Sequence, residues 1–326
     1  MEQISTKLTI KDILGTWKVR WGINRMNYKI RPGLYRVGEA DDMSPVLATA
    51  NYKMSFDMLR KELAGIDAWI LVLDTKGINV WCAAGKGTFA ADELINRISK
   101  VKLFQFVSHK TIILPQLAAT GVSAHEVQIR SDFKVIFGPV RASDIKDFLG
   151  AGMKATPEMR KVRFSLYDRL VLTPMEVVGA LKVWLMISGA LFILNLINPG
   201  SFGIVDFYAY SGAILIGCVL VPVLLPWIPG KAFAWKGWLL GIIWALCVNV
   251  LNGWPVDPDY DPVRALGYML VFSAISAFCA MNYTGCSTYT SLSGVLKEMK
   301  IAIPAIIISS VLGVILILFN SWIQIS

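Results

Sequence analysis

Histidine is almost absent from this 326-residue chain, which has two, and charged residues make up only 17% of it against 55% hydrophobic ones. With His109 and His125 alone, no multi-histidine zinc site can be assembled. The cysteines (82, 218, 247, 279 and 286) form no Cys-x-x-Cys pair, which excludes an iron–sulfur cluster of the chain's own. They are also too few, and too often in apolar surroundings, for a disulfide-stapled secreted module. Gly-x-Ser-x-Gly is missing, and no Gly-x-Gly-x-x-Gly follows a strand-like run. The stretch from Gly77 is no phosphate loop, because seven residues separate it from Gly85 and Gly87 stands where Ser or Thr has to follow Lys86. The polar opening MEQISTKLTI predicts no secretory leader.

What is present divides sharply. Residues 1–172 hold 26 Lys and Arg against 17 Asp and Glu, and residues 173–326 hold six of each, so the whole net charge of +9 belongs to the first part. A mean hydropathy of +0.55 is too high for a soluble globular chain. Five apolar runs, at 175–197, 204–228, 238–254, 265–282 and 302–323, account for it. Each is close to the ~20 residues that carry a helix across a bilayer, the one open-chain structure that satisfies its own backbone there. Lys154, Arg160, Lys161, Arg163 and Arg169 precede the first run, Lys231 and Lys236 the third, and Lys297 and Lys300 the fifth, whereas 198–203 and 252–262 carry no basic residue. Positive loops stay inside, which predicts a multi-pass protein of the cytoplasmic (inner) membrane, head in the cytoplasm and C-terminus outside. Glu176, Lys182 and Asp206 sit near span ends and read as anchors rather than an ion path. Cys218, Cys247 and Cys279 read as small core hydrophobes.

In the head, strand-like runs at 46–50, 68–74, 103–107, 111–115 and 134–138 alternate with helix-like ones at 55–64, 90–99, 123–129 and 143–150. Such alternation predicts an α/β fold with a parallel sheet covered on both faces, and ligands in the loops that leave the carboxyl ends of its strands. Residues 1–43 differ, with eight Lys and Arg in the first 36 positions interleaved with Trp17, Trp21, Tyr28 and Tyr35. They read either as a basic aromatic arm for anionic membrane lipid or as an irregular extension packed on the head. Nucleic acid is not an expected partner, since no recognised fold for it accompanies the charge. The expected division is an arm at 1–43, a domain at 44–152, a basic linker at 153–172 and a helical membrane domain at 173–326.

The head's one cysteine lies in DTKGINVWCAAGKGTF, residues 74–89. By itself, a cysteine between Trp and Ala is more often inert core than a ligand. The eight residues Asn79, Val80, Trp81, Cys82, Ala83, Ala84, Gly85 and Lys86, however, resemble the cap-helix signature of the mercury-methylating corrinoid membrane proteins. The flanks SPVLATANY (44–52), ILPQLAATGVSAHEV (113–127) and FGPVRASD (137–144) resemble the same family and, more distantly, the corrinoid iron–sulfur protein. Five membrane helices after such a domain also match the family's layout.

The resemblance implies a Rossmann-like corrinoid-binding head on an all-α domain of five transmembrane helices. It implies a base-off cobalamin-type corrinoid with Cys82 as lower axial ligand to cobalt, and methyl transfer from methylcobalt(III) to Hg(II), giving methylmercury. An upstream methyl donor and a small ferredoxin with two four-iron clusters, which returns cobalt to its lowest oxidation state, are the implied partners. Hg(II) is an electrophile and requires a carbanion-like or radical methyl group, and an axial thiolate is a donor strong enough to push electron density onto cobalt. Lys86 favours the thiolate, the small residues 83–85 admit a flat macrocycle, and Trp81 either walls its edge or packs in the core. The Asp-x-His-x-x-Gly loop of other corrinoid proteins is absent. Thr49, Asn51, Pro115, Gln116, Ala119, Gly121, Gly138, Pro139 and Arg141 follow strand ends and are expected at the corrinoid rim, with turn roles as the competing reading. Residues 282–294 form a Ser/Thr-rich loop that either caps helices or meets a partner, with Cys286 as a soft mercury ligand. A corrinoid carrier for ordinary one-carbon metabolism and a transporter or scaffold with a vestigial head remain open.

Overall fold

Six strands form one mixed sheet in the first of two units, residues 1–163. They are β1 (Glu2–Ile4), β2 (Gly33–Val37), β3 (Val46–Ala50), β4 (Ala68–Leu73), β5 (Thr111–Leu114) and β6 (Lys134–Phe137), in the order β1-β2-β4-β3-β5-β6. The computed structural model describes residues 2–197, 202–257 and 260–323. Strands β3 to β6 run parallel, and every residue of β3 and β4 is buried, as central strands with two covered faces require. Val46, Ala48, Leu71 and Leu73 face a layer built by α3 (Val80–Gly85), α4 (Ala91–Val101) and α5 (Ala124–Ser131). Leu47, Ile70 and Val72 face α2 (Lys53–Glu62) and α6 (Ile145–Gly150) on the other side. Each such buried aliphatic side chain contributes about 1.5–3 kcal/mol relative to exposure.

Two expectations are corrected. The sheet is not wholly parallel: β2 pairs antiparallel with β4, Tyr35 opposite Ile70, and β1 adds a short edge parallel to β2. Residues 1–43, set apart by their charge, therefore supply two strands and the helix α1 (Ile10–Arg20) to the head. Residues 103–107 are not a strand but a 3-10 turn, Leu103–Gln105, entered through Lys102 at φ +52°. Leu103 and Val107 point inward while Phe104 is 65% exposed, so a five-residue apolar run here marks a bend rather than a period-two strand.

The added helix is held by charge. Asp12 in α1 lies 2.5 Å from Lys53 Nζ and 2.8 Å from Arg60 Nη2, and Asp57 accepts from the same two cations at 2.6 and 2.8 Å. Thr9 and Asp12 complete a capping box at the start of α1.

The second unit, residues 164–326, is helical. After the short α7 (Leu166–Leu170) come α8 (Thr173–Ile197), α9 (Ile204–Leu215), α10 (Val221–Leu224), α11 (Phe233–Leu251), α12 (Pro262–Asn282) and α13 (Leu292–Ile323), with a π-helical turn, Ile216–Leu220, joining α9 to α10. Five stretches, Leu166–Ile193, Ile204–Leu224, Phe233–Leu251, Pro262–Gly285 and Ser293–Leu318, are long and apolar enough to cross a membrane. Lys236, expected in a connection, lies inside α11, where it is 7% exposed and its Nζ donates to Leu225 O at 2.5 Å.

Burial alone pushes the Asp12 carboxyl up, but the Lys53 hydrogen bond and the two Thr9 donors outweigh it and hold the group well below the usual carboxylate range. A depressed carboxylate adds stability that is complete above its unfolded pKa of about 3.9 and is lost as pH falls. Thermal unfolding should therefore show the head losing stability from pH 5 downward by ~2 kcal/mol or more. Asp57→Ala, which leaves Lys53 and Arg60 to share Asp12 as their one carboxylate, should cost about 3 kcal/mol at pH 7; an unchanged melting curve would contradict the role given to the network.

Candidate functional site

Chain direction reverses at β3. The chain passes from β3 to β4 on one side and then to β5 on the other, so the crevice outside the carboxyl ends of β3 and β5 is the topological switch point of the parallel strands. Asn51 stands directly after β3 and is 2% exposed. Its Oδ1 accepts from Thr75 N at 3.1 Å, Thr75 Oγ1 at 2.9 Å and Gly77 N at 2.9 Å, while its Nδ2 donates to Asp74 Oδ1 at 3.4 Å. One buried amide thus shapes the loop that leaves β4. Gly77 has φ +77°, a left-handed conformation that a β-substituted residue rarely takes. Glu93 of α4 accepts from Asp74 N at 2.8 Å and is itself held by Arg97 at 2.7 Å.

That loop delivers α3. Asn79 is its N-cap and accepts from Cys82 N at 2.9 Å, which fixes the first turn. Val80, Ala83 and Ala84 are buried, whereas Trp81, Cys82, Gly85 and Lys86 are exposed, Trp81 at 42%. Three and four residues apart, the exposed positions share one side of the helix. A Cβ on Gly85 would meet no atom within 4 Å, so the surface there is open. Ala83 and Ala84, expected to admit a ligand, instead seat the helix on the core.

The remaining candidates gather on the same edge but in different roles. Gly121 lies under α3, where a Cβ would come within 2.9 Å of Ala84 Cα and O, so its lack of a side chain serves helix seating rather than a rim. Pro115 and Gln116 lead into a 3-10 turn, Gln116–Ala118, that packs against α3. The Gln116 side-chain oxygen accepts from Arg160 Nη1 at 2.9 Å. Ala119 is exposed. Gly138 donates its N–H to Leu114 O at 2.8 Å, and both it and Pro139 are buried; Arg141 is half-buried at the next turn. Thr49 is 4% exposed and shares the Leu47 face of β3, beneath the edge. Cys286 lies outside the residues whose side chains are described.

Sequence reasoning missed three contributors. Thr75 and Glu93 hold the β4 loop, and the run Asp74-Thr75-Lys76-Gly77 after an apolar strand was the available turn signal. The N-terminal segment also reaches this edge: Ile30 N donates to Asn51 O at 3.0 Å, Lys53 N to Tyr28 O at 3.0 Å, and a Cβ on Gly77 would sit 3.4 Å from Met26 O. A cavity of about 480 Å³ in the head is lined by Asp12, Arg31, Lys53 and Arg60 among others and includes no residue of α3.

Asn51→Ala should leave three donors short of an acceptor at a cost of about 2–3 kcal/mol, or roughly 30–150-fold faster amide exchange across 74–86. Asn51→Asp keeps the acceptor but turns a buried carboxylate toward Asp74 Oδ1, where Asn51 Nδ2 donates, and should also lose protection. Equal exchange in all three proteins would remove Asn51 from this role.

Residues 12–149 match the family model described as CO dehydrogenase/acetyl-CoA synthase delta subunit. Curated relatives include gamma subunits of the acetyl-CoA decarbonylase/synthase complex. That of Methanopyrus kandleri is 31% identical over 123 residues, 37% of this chain and 26% of the relative. That of Archaeoglobus fulgidus is 29% identical over 127 residues, 38% and 27%. The gamma 2 subunit of Methanosarcina thermophila is 36% identical over 111 residues, 33% and 23%. The chain spans about a quarter of the length of these relatives. The segment matched by the family model starts inside α1, takes in the candidate edge and stops before the helical unit.

Proposed function

We propose that this chain is a membrane-anchored corrinoid protein that passes a methyl group to Hg(II), forming methylmercury. The observation that carries the reading is the position of Cys82: exposed on a short capped helix, at the carboxyl edge of a doubly covered sheet, in a head similar to acetyl-CoA decarbonylase/synthase subunits. The residues present fit a flat, base-off corrinoid in a Rossmann-like head. Cys82 offers a sulfur to the metal, Gly85 leaves space beside it, and Trp81 and Lys86 border the same face. Bound there, the corrinoid supplies a cobalt-held methyl group, and sulfur donation from Cys82 favours its release with its electron pair to an electrophile such as Hg(II).

The chain's own residues do the positioning. Asn51, Thr75 and Asn79 fix where the helix begins along the edge, and Ala83, Ala84 and Gly121 set the depth at which it is seated. A small ferredoxin with two four-iron clusters is the proposed reductant, and an upstream donor restores the methyl group. The five apolar helices and the Lys/Arg distribution support an inner-membrane anchor with the head in the cytoplasm. The relatives' names favour a second reading, a methyl carrier in one-carbon metabolism that transfers to acceptors other than mercury.

Purified protein should carry a corrinoid whose spectrum reports sulfur ligation, and Cys82→Ala should lose both that signature and methylmercury formation. Retained Hg(II) methylation by Cys82→Ala would overturn the ligand assignment; sulfur ligation without Hg(II) methylation by the native chain would favour the one-carbon reading. A membrane-impermeant thiol reagent should label Cys286 only from the cytoplasmic side. Reduction by an acidic ferredoxin should slow as the Debye length shrinks below ~8 Å.

A further inference from the structure

Helix α1 uses two opposite faces. The inward one belongs to the fold: Val19 is 1% exposed, Gly15 abuts the Tyr28 ring, and Asp12 pairs with Lys53 and Arg60. The outward one is apolar and bare. Ile10 is 77% exposed, Ile13 47%, Leu14 54%, Trp17 62% and Trp21, at the C-cap, 43%. At about 3.6 residues per turn these five fall within an arc of roughly 100°. The same pitch puts Lys11 and Lys18 along one border of the stripe and Arg20 along the other, with Lys7 before the helix and Arg25 after it. Between Lys7 and Arg25 the one acidic residue is Asp12, and it is turned inward.

A helix whose core contacts lie on one face has no folding use for an apolar stripe on the other. We propose that α1 is an interfacial helix that lies in the headgroup region of an anionic bilayer, its Ile, Leu and Trp side chains toward the acyl chains and its bordering cations among the phosphates. The bilayer is the occupant because the chain brings one with it: five helices able to cross a membrane tether the head beside a lipid surface, so a weak surface affinity is raised by the tether. This step rests on the reading that those helices span. The uniformly positive border matches an anionic leaflet, and Trp is a residue of the water–lipid boundary. Phe104 and Ile129, exposed at 65% and 70% elsewhere on the head, belong to no such stripe.

The test uses the full chain in vesicles of mixed phosphatidylglycerol and phosphatidylcholine, with a photoreactive benzophenone amino acid replacing Trp17, Ile129 or Leu312, the last being 51% exposed in α13. Illumination should give lipid adducts at 17 and 312, and at least about tenfold less at 129. Since one basic residue at an anionic surface favours binding about fivefold, Lys11→Glu with Lys18→Glu should lower the yield at 17, as should high salt or pure phosphatidylcholine, with no change at 312. Adducts at 312 but not at 17 would overturn the proposal and leave the spans standing. Adducts at neither would overturn both. A yield at 17 indifferent to lipid charge, or a crosslink from 17 to protein in place of lipid, would also overturn it, the latter in favour of a protein interface.

Discussion

A single side-chain oxygen organises the functional edge of the head. Asn51 Oδ1 receives three donors from the loop after β4, and each such bond contributes on the order of 1 kcal/mol only because the group is otherwise shut away from water. Burial turns the amide into a geometric specification: a buried acceptor has to be satisfied, and only one course of the loop satisfies it. The course of residues 74–79 then decides where Asn79 stands, and Asn79 decides where the first turn of α3 begins. Cys82 is placed by this relay of polar contacts, with the apolar side of α3 contributing only the depth at which it rests.

The sequence makes the centre of the head easy to read and its borders hard. Strands β3 and β4 are continuous apolar runs, and two buried faces leave no other pattern possible. By contrast β2 carries the half-buried Arg36 and follows a densely charged stretch, so charge hid a strand that tertiary pairing with β4 stabilises. The apolar run at 103–107 has the composition of a strand and the geometry of a turn, because periodicity in so short a stretch does not distinguish them. At the site, proximity to strand ends located the right loops but not the roles. Asn51 is a clamp beneath the surface, Gly121 a bearing for α3, and Thr49 and Pro139 are buried. That Cys82 is exposed follows from which side of α3 meets the core, a fact about packing that the local sequence does not contain.

The helical unit combines several buried apolar clusters with close approach of its helices. α12 is the most buried of the five long helices, and small residues let its neighbours come near: a Cβ on Gly217 would lie 2.5 Å from Ser276 O, and one on Gly241 2.6 Å from Ser273 Cα. Between helices apolar on most faces, such backbone proximity distinguishes one packing from another. Two polar side chains pair within it, Asn249 donating to Ala265 O at 3.1 Å and Trp184 to Ser211 Oγ at 2.8 Å.

Gly121 gives α3 a mechanical asymmetry. Beneath Ala84 and Phe89 there is no room even for a methyl group, while above Gly85 there is nothing within 4 Å. The helix therefore rests on Gly121 at backbone contact, with no side chain between. At either end the chain turns through glycines with positive φ, Gly77 and Gly87. The nearest position that the Cys82 sulfur can take to the sheet is thus set by main-chain atoms, which a change of rotamer cannot move.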